Sequence, residues 1–187
     1  LYIFKDTHNI KMIIMNRIVL MVLCICSIVH GSSGQATNAK NEKLKAAIIA
    51  LDIDETEVFY LQQRLRVTSQ ERERIVFIVG DVRYRKKMER IFETYRPQVV
   101  FHAAAYKHVP LVEQNALTGI ENNVLGTWAL AEVAFDHDVE CFVLISTDKA
   151  VRPSNVMGAT KRWAELIVHS YATTQPGKND RRRFCAV

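Results

Sequence analysis

Short apolar runs and amphipathic stretches alternate along the chain from Leu44 onward. Helices are predicted where apolar residues recur at helical spacing. One of them, over residues 111–135, is predicted to break near Gly119. Apolar strands that alternate with such helices are typical of an α/β domain with a doubly wound parallel sheet. The predicted strands cover residues 46–51, 75–79, 99–102, 141–145 and 184–187, and the predicted helices cover 55–65, 83–95, 111–135 and 156–173.

Residues 1–43 do not follow this alternation. The run over residues 18–29 is apolar except for Ser27, follows basic residues and precedes a polar stretch that contains Gly31–Gly34. This pattern resembles a signal peptide. Three interpretations stay open for the run: a secretion signal, a membrane anchor or a buried strand. We therefore expect an atypical N-terminal segment over residues 1–43 and an α/β domain over residues 44–187.

Composition narrows the class of protein. The 187 residues are 49% hydrophobic and 24% charged, which is enough for one domain with a sizeable core. The net charge is +5, but the basic runs are short and lack interleaved aromatics, so no nucleic-acid binding is predicted. Four cysteines without a C-x-x-C pair predict neither a disulfide framework nor a metal site, and they fit a reducing compartment.

Two acids follow the first two predicted strands of the domain. Asp52 ends the first strand, where an acid in a dinucleotide-binding fold bonds the adenosine ribose, while Asp54 or Glu55 is the alternative candidate for helix capping. Asp81 follows the second strand, where its carboxylate can accept from an adenine amino group while the backbone at Val82 packs the ring. The alternative for Asp81 is an N-cap of the next helix.

The next strand ends in His102. Three small residues, Ala103–Ala105, come after it, and a polar turn follows them. Small side chains let the backbone approach a pyrophosphate or a nicotinamide ribose, although a tightly packed strand end and a core histidine are the alternatives. Lys107 can meet a phosphate or a sugar hydroxyl, or lie in a surface loop. Asn123 is expected mid-helix, where an inward amide needs a partner. The candidate cofactor-binding residues are Asp52, Asp81, Val82, His102, Ala103, Ala104, Ala105, Asn123 and Lys161.

A hydroxyl pair, an acid and a lysine follow the apolar run at 141–145, and Lys161 lies on the next predicted helix. The runs at 103–110 and 146–151, with Val79–Arg83 and Asn123–Thr127, resemble polysaccharide-biosynthesis proteins of the CapD type. These are nucleotide-sugar 4,6-dehydratases within the extended short-chain dehydrogenase/reductase superfamily. The resemblance implies a Rossmann-like fold, bound NAD(P), and a nucleotide-sugar substrate of the UDP-N-acetylhexosamine (UDP-GlcNAc) type.

The resemblance also implies a role for each residue of the site. Such enzymes oxidise the sugar at C4, remove the C5 proton, expel the C6 hydroxyl as water and return the hydride to C6. Thr147, with Ser146 beside it, would orient O4, Asp148 would be the acid and Lys149 the C5 base. Lys161 would hold the nicotinamide ribose. Lys107 and His108 are the expected substrate-binding residues, and no metal is expected.

Three departures from the family pattern change these expectations. Met157 stands where most superfamily members have tyrosine, which moves O4 deprotonation to another group. We expect a half-buried position at which Met157→Tyr is tolerated. The glycine-rich turn of the first β-α unit is absent, since Gly31–Gly34 precedes a segment without a helical apolar stripe. The substrate-binding segments that follow residue 187 in the family are missing, so the sheet is expected to be incomplete at both ends.

Two rival functions remain open. One is a nucleotide-sugar 4-epimerase or reductase, against which the pair Asp148–Lys149 argues because an epimerase needs no C5 base. The other is a non-catalytic NAD(P)-binding scaffold. We expect a cytoplasmic protein at the inner face of the membrane, associated through the apolar run at 18–29, and a homo-oligomer when full length.

Overall fold

The computed structural model describes residues 21–24, 48–64, 75–174 and 182–187. Within these ranges the chain forms one six-stranded sheet with the order β3-β2-β1-β4-β5-β6. The strands are β1 (Met21–Cys24), β2 (Ile48–Asp52), β3 (Ile75–Val79), β4 (Val99–His102), β5 (Cys141–Leu144) and β6 (Arg183–Ala186). This order, in which the chain moves outward in both directions from the centre, confirms the doubly wound fold class.

The central strand runs against its neighbours. β2 pairs with β3 and β4–β6 pair with one another in parallel, but β1 is antiparallel to both β2 and β4, with Met21 opposite Leu51 and His102. The sheet is therefore mixed at its centre, whereas the prediction was a sheet that is parallel throughout. Because Met21–Cys24 is apolar at every position, it can take a central place in either direction.

β1 also bears on the interpretations of the apolar run. Residues 21–24 of the run at 18–29 form this strand. The remainder of the run lies outside the described residues, as does Gly31–Gly34. The strand comes from the segment 1–43, yet it is bonded into the sheet of the predicted domain. None of the helices formed by the described residues has the length and apolar character that spanning a bilayer requires.

The helices bury the apolar stripes that the sequence predicts. On the second helix Met88, Ile91 and Phe92 are buried, and on the first Val58 and Leu61 are buried. The helices are α1 (Glu55–Arg64), α2 (Arg85–Tyr95), α3 (Val109–Gln114), α4 (Ala116–Ile120), α5 (Gly126–Asp136) and α6 (Val156–Thr173), with a π-helical turn at Glu121–Leu125 and a 3-10 turn at Asp148–Ala150.

The predicted helix over 111–135 is divided differently from the expectation. It breaks at Asn115, with φ −132° and ψ 52°, and not at Gly119. Gly119 lies inside α4, where a Cβ would stand 2.7 Å from Cγ1 of Val112. Gly119 is thus required for the close packing of α3 on α4. The π-helical turn that follows widens the helix just before α5.

The helices form two groups around the sheet. α1 packs against β2 and β3, whereas α2 packs against α5 and α5 packs against α6. The helices α2, α5 and α6 cover a core that includes Phe92, Leu130, Phe142 and Val168. The carboxyl ends of β2, β3, β4 and β5 meet at one edge, which α/β proteins use for ligands.

Candidate active site

Asp52 is a buried carboxyl group at the end of β2. Its Oδ1 accepts from the Asp54 N–H at 2.9 Å, while Asp54 Oδ1 accepts from the N–H groups of Thr56 and Glu57 at 2.9 and 3.3 Å. Asp54 therefore caps α1, as one alternative had it, and Asp52 is not needed for capping. Burial raises the pKa of Asp52 to about 6.

We predict that Asp52→Asn stabilises the fold above neutral pH. A carboxyl whose pKa rises from 3.8 to about 6 on folding binds its proton more tightly when folded, so its ionisation destabilises the fold as pH rises through this window. The amide is isosteric and neutral, so a gain of about 1 to 2 kcal/mol is expected at pH 8, after allowance for solvent screening. Urea unfolding of both proteins from pH 3.5 to 8 measures this, and a gain that does not vary with pH would contradict it.

Asp81 is buried, and Arg83 occupies both of its carboxylate oxygens. Arg83 donates through its backbone N–H at 2.9 Å and through Nε and Nη2 at 2.6 to 3.0 Å. Burial alone would raise the pKa of Asp81, but the hydrogen bonds and the charge of Arg83 lower it. The N-cap of α2 is Tyr84, so the capping alternative for Asp81 is wrong. Val82 is buried and packs near Gly126.

His102 is buried at the end of β4 and bonded inside the protein. Its Nε2 lies 2.8 Å from Oγ1 of Thr127, whose own hydroxyl donates to the Asn123 carbonyl at 2.7 Å. The hydroxyl has one hydrogen, so Nε2 must be the donor to it. Burial, helped by the charge of Lys161, lowers the pKa of His102 to about 3 and keeps the ring neutral. This geometry favours the core-histidine alternative over cofactor contact.

Asn123 points inward, and its amide is fully used. Its Oδ1 accepts from the Tyr106 N–H at 2.7 Å, and its Nδ2 donates to the Tyr106 carbonyl and to Oγ1 of Thr160, both at 3.0 Å. The partner is therefore the backbone after β4 together with the residue before Lys161, close to the expected one. Asn123 ties the loop after β4 to α6, which makes it a positioning residue.

The loop that Asn123 holds carries the remaining predicted residues. Ala103, Ala104 and Ala105 are half-buried, whereas Lys107 and His108 are exposed. His108 precedes α3 as its N-cap but forms no side-chain cap bond. Lys107 and His108 are thus both accessible to a ligand at this edge of the sheet.

The 3-10 turn after β5 presents Asp148 and Lys149 to solvent. Thr147 begins the turn: its Oγ1 donates to Asp148 Oδ1 at 2.9 Å and accepts from the Lys149 N–H at 3.4 Å. Lys149 Nζ lies 3.6 Å from Asp148 Oδ1, and the two side chains are 51% and 89% exposed. The Thr147 bond, and then the charge of Lys149, lower the pKa of Asp148. Asp148 is therefore a carboxylate at neutral pH.

Lys161 lies behind this turn on α6 and is buried. Its Nζ donates to the Ile145 carbonyl at 2.6 Å. Burial lowers the pKa of Lys161 to about 8, although Glu165 one turn later acts in the opposite direction. Four residues earlier on the same helix, Met157 is 3% exposed and thus buried, not half-buried as predicted.

Two residues of the site were not predicted from the sequence. Glu165 accepts a hydrogen bond from the Ser146 hydroxyl at 2.5 Å and another from Arg162 at 2.8 Å. Gly158 lies where a Cβ would stand 2.5 Å from the Lys149 carbonyl oxygen. The helical spacing of an acid four residues after Lys161 is the signal that could have identified Glu165.

We predict that Gly158→Ala destabilises the fold and displaces the turn that carries Lys149. The added methyl group meets the Lys149 backbone at 2.5 Å, so either α6 or the turn must move. A loss of about 1 to 3 kcal/mol is expected, as for other overpacked sites. Gly126→Ala is the matched control, because its Cβ would meet side-chain atoms at 3.3 Å or more. Equal melting temperatures for the two variants would contradict the prediction.

The burial of Met157 changes the expectation for Met157→Tyr. A larger ring with a hydroxyl that needs a partner must enter a filled position, so we expect a loss of about 1 to 3 kcal/mol instead of tolerance. Met157→Leu conserves volume and should cost less than about 1.5 kcal/mol. Thermal unfolding of the pair decides the matter, and a Tyr variant as stable as the Leu variant would refute it.

The described residues form a doubly wound α/β protein with a buried lysine and an exposed Thr-Asp-Lys turn at the carboxyl edge of its sheet. The family described as "Polysaccharide biosynthesis protein" matches residues 28–187, and the chain belongs to this family. It is 46% identical over 123 residues to the capsular polysaccharide biosynthesis protein CapD of Staphylococcus aureus, across 66% of this chain and 20% of the relative.

More distant similarities connect the chain to nucleotide-sugar epimerases and dehydratases. It is 33% identical over 143 residues to the UDP-glucose 4-epimerase of Rickettsia rickettsii, across 74% of this chain and 41% of the relative. Among solved structures it resembles DesIV, a dTDP-glucose 4,6-dehydratase from Streptomyces venezuelae with NAD and TYD bound. That similarity has a TM-score of 0.54 and 25% identity, across 60% of this chain and 37% of the other. The chain thus spans between a fifth and two fifths of these proteins.

Proposed function

We propose that this chain supplies the catalytic strand end of an NAD(P)-dependent nucleotide-sugar 4,6-dehydratase that acts on a UDP-N-acetylhexosamine in polysaccharide precursor synthesis. The observation that carries the proposal is the exposed turn Thr147–Lys149 in front of the buried Lys161. A hydroxyl, an acid and a base side by side are the groups that removal of water from a sugar needs.

Some of the described residues fit the cofactor, and one part of its site is not among them. Asp52, a buried acid at the end of β2, would bond the adenosine ribose, and Lys161 would bond the nicotinamide ribose. NAD(P)+ would accept the hydride from C4 and return it at C6. No glycine-rich turn for a pyrophosphate lies at this edge within the described ranges, and Asp81 is already paired with Arg83.

The ion pair of Asp148 and Lys149 accounts for both proton transfers of the elimination. The resting pair is a carboxylate and an ammonium ion 3.6 Å apart. Transfer of one proton from Lys149 to Asp148 converts it to a neutral amine and a carboxylic acid. The amine then takes the C5 proton, and the acid donates its proton to the C6 hydroxyl, which leaves as water. The pair is then again a carboxylate and an ammonium ion. When the hydride would return to C6, Lys149 would give its proton back to C5, and Asp148 would regain its proton from the one that O4 releases on oxidation, so protons balance over the whole reaction.

The remaining residues orient the sugar or hold the turn. Thr147 lies at the start of the turn, where its hydroxyl can reach O4 once a sugar displaces its bond to Asp148. Met157 cannot exchange the O4 proton, because a thioether carries none. Lys107 and His108 are exposed at the same edge, where they can meet the diphosphate or the sugar.

The test uses a full-length protein in which this chain is extended by the further residues that its relatives have. That protein is incubated with UDP-GlcNAc. A dehydratase forms a 4-keto-6-deoxy product that is lighter by one water molecule. A 4-epimerase, the activity of the Rickettsia rickettsii relative by its name, forms a product of unchanged mass. A mass spectrum with only unchanged mass and a new epimer would replace the dehydratase proposal, and no conversion at all would favour the scaffold.

A further inference from the structure

Helix α6 is bonded to two consecutive residues at the end of β5. Lys161 Nζ donates to the Ile145 carbonyl at 2.6 Å, and Glu165 Oε1 accepts from the Ser146 hydroxyl at 2.5 Å. Lys161 and Glu165 are one helical turn apart, so they lie on the same face of α6. The two bonds together fix the position of the strand end relative to the helix.

The backbone of the same two residues is bonded from the other sides. The Ile145 N–H donates to the His102 carbonyl at 2.9 Å, and the Ser146 N–H donates to the Val187 carbonyl at 2.6 Å. Among the described residues, the Ser146 side chain is therefore the last group of this segment that forms a hydrogen bond with α6. Directly after it the chain enters the exposed turn that carries Asp148 and Lys149.

Glu165 also determines what the Ser146 hydroxyl can do. A serine hydroxyl has a single hydrogen, and here it is donated to a carboxylate, which is a stronger acceptor than a neutral oxygen. The hydroxyl can then only accept from a ligand. The Thr147 hydroxyl donates to the exposed Asp148, and a sugar oxygen can take the place of that acceptor, so Thr147 is the one of the pair that can donate to the substrate.

We propose that Glu165 is a positioning residue: by holding the Ser146 hydroxyl, it fixes the strand end that carries Thr147, Asp148 and Lys149 and leaves substrate orientation to Thr147. The side chain suits this role, being 18% exposed and held at its second oxygen by Arg162. The identity of the reacting groups rests on the proposed function, whereas the fixation of the strand end does not.

Amide hydrogen exchange of the 187-residue chain, resolved by NMR, tests the fixation without any substrate. The reporters are the amides of Ser146, Ala150 and Val151, which donate to the carbonyls of Val187, Thr147 and Asp148. In Glu165→Ala their exchange should accelerate about tenfold or more, the factor that loss of one hydrogen bond to a charged group supports. Amides in the middle of α5 should keep their rates.

Two further variants separate positioning from general stability. Glu165→Gln keeps an acceptor for the Ser146 hydroxyl and should restore slow exchange. Arg162→Gln is the matched control, because it removes the exposed partner of the same carboxylate and leaves the Ser146 bond. It should exchange like the parent. Unchanged reporters in Glu165→Ala, or equal acceleration in Arg162→Gln, would overturn the proposal.

Ser146→Ala guards against a Glu165 variant that fails to fold. It deletes the same bond from the other side, so it should reproduce the local acceleration, and parent-like exchange at Ala150 and Val151 would overturn the proposal. In a full-length protein that forms the lighter product, Glu165→Ala should lower kcat at least tenfold with little change in KM, and Glu165→Gln should retain most of it. A parent without product contradicts the proposed function, and the exchange data then decide the role of Glu165.

Discussion

Lys149→Ala is expected to abolish water elimination in the full-length protein and to leave cofactor affinity unchanged. A positioned base contributes about 10²- to 10⁴-fold to a proton transfer, and the methyl group of alanine cannot replace it. Lys149 is on the exposed turn and contacts Asp148, whereas the buried Lys161 bonds the Ile145 carbonyl and is the lysine proposed to bond the nicotinamide ribose. The two lysines are thus assigned to different steps.

Two assays on the same variants test whether Lys149 acts in water elimination and not in cofactor binding. Turnover of the UDP-sugar should fall more than about 100-fold in Lys149→Ala, while titration with NAD(P)H gives the parent's affinity. Arg152→Ala removes an exposed cation three residues further along and is the matched control. Loss of both activities in Lys149→Ala would show that the turn holds the cofactor as well, and full turnover would remove Lys149 from the mechanism.

Strands and helices with uniform patterns were predictable from the sequence. The bounds of β3, β4 and α6 agree with the prediction, because an apolar run or stripe is bordered in each case by glycine, proline, asparagine or polar residues. The direction of β1 was not predictable, since an apolar strand carries no sign of its direction and connections determine it. The break at Asn115 was placed at Gly119, because close packing against Val112, invisible in the sequence, explains that glycine.

The candidate site divides in the same way. Asp52, Asp81, His102 and the Ser146–Lys149 run were chosen as candidates from the sequence because polar groups at the ends of buried strands are where α/β proteins place their chemistry. The hydrogen-bond partners of these residues were not predicted from the sequence. Arg83 bonds Asp81, Thr127 bonds His102, and Glu165 bonds Ser146 across 19 residues of sequence. Such bonds depend on which helix face meets which strand end. The sequence offers only helical spacing as a guide to them.

The 187-residue chain is expected to bind NAD+ and NADP+ no more tightly than about millimolar, near −4 kcal/mol. In doubly wound proteins a glycine turn after the first strand brings backbone N–H groups to the pyrophosphate at the carboxyl edge of the sheet. Here β1 is antiparallel to β2 and β4, so the chain leaves it at the edge opposite to Asp52 and Lys161. Gly31–Gly34 lies outside the described residues, and the direction of β1 is the observation that argues against a phosphate turn directly after it.

Hydrogen bonds at the two ends of the cofactor do not replace that clamp. By the proposed roles, Asp52 and Lys161 would each add about 0.5 to 3 kcal/mol. Asp81 is already paired with Arg83. Calorimetry of the purified chain with each dinucleotide gives the dissociation constants, and Asp52→Asn and Lys161→Ala report whether any heat comes from this edge. A micromolar constant that both variants weaken would mean that Gly31–Gly34 forms the phosphate turn beside Asp52. The strand before it would then have to run parallel to β2 and β4.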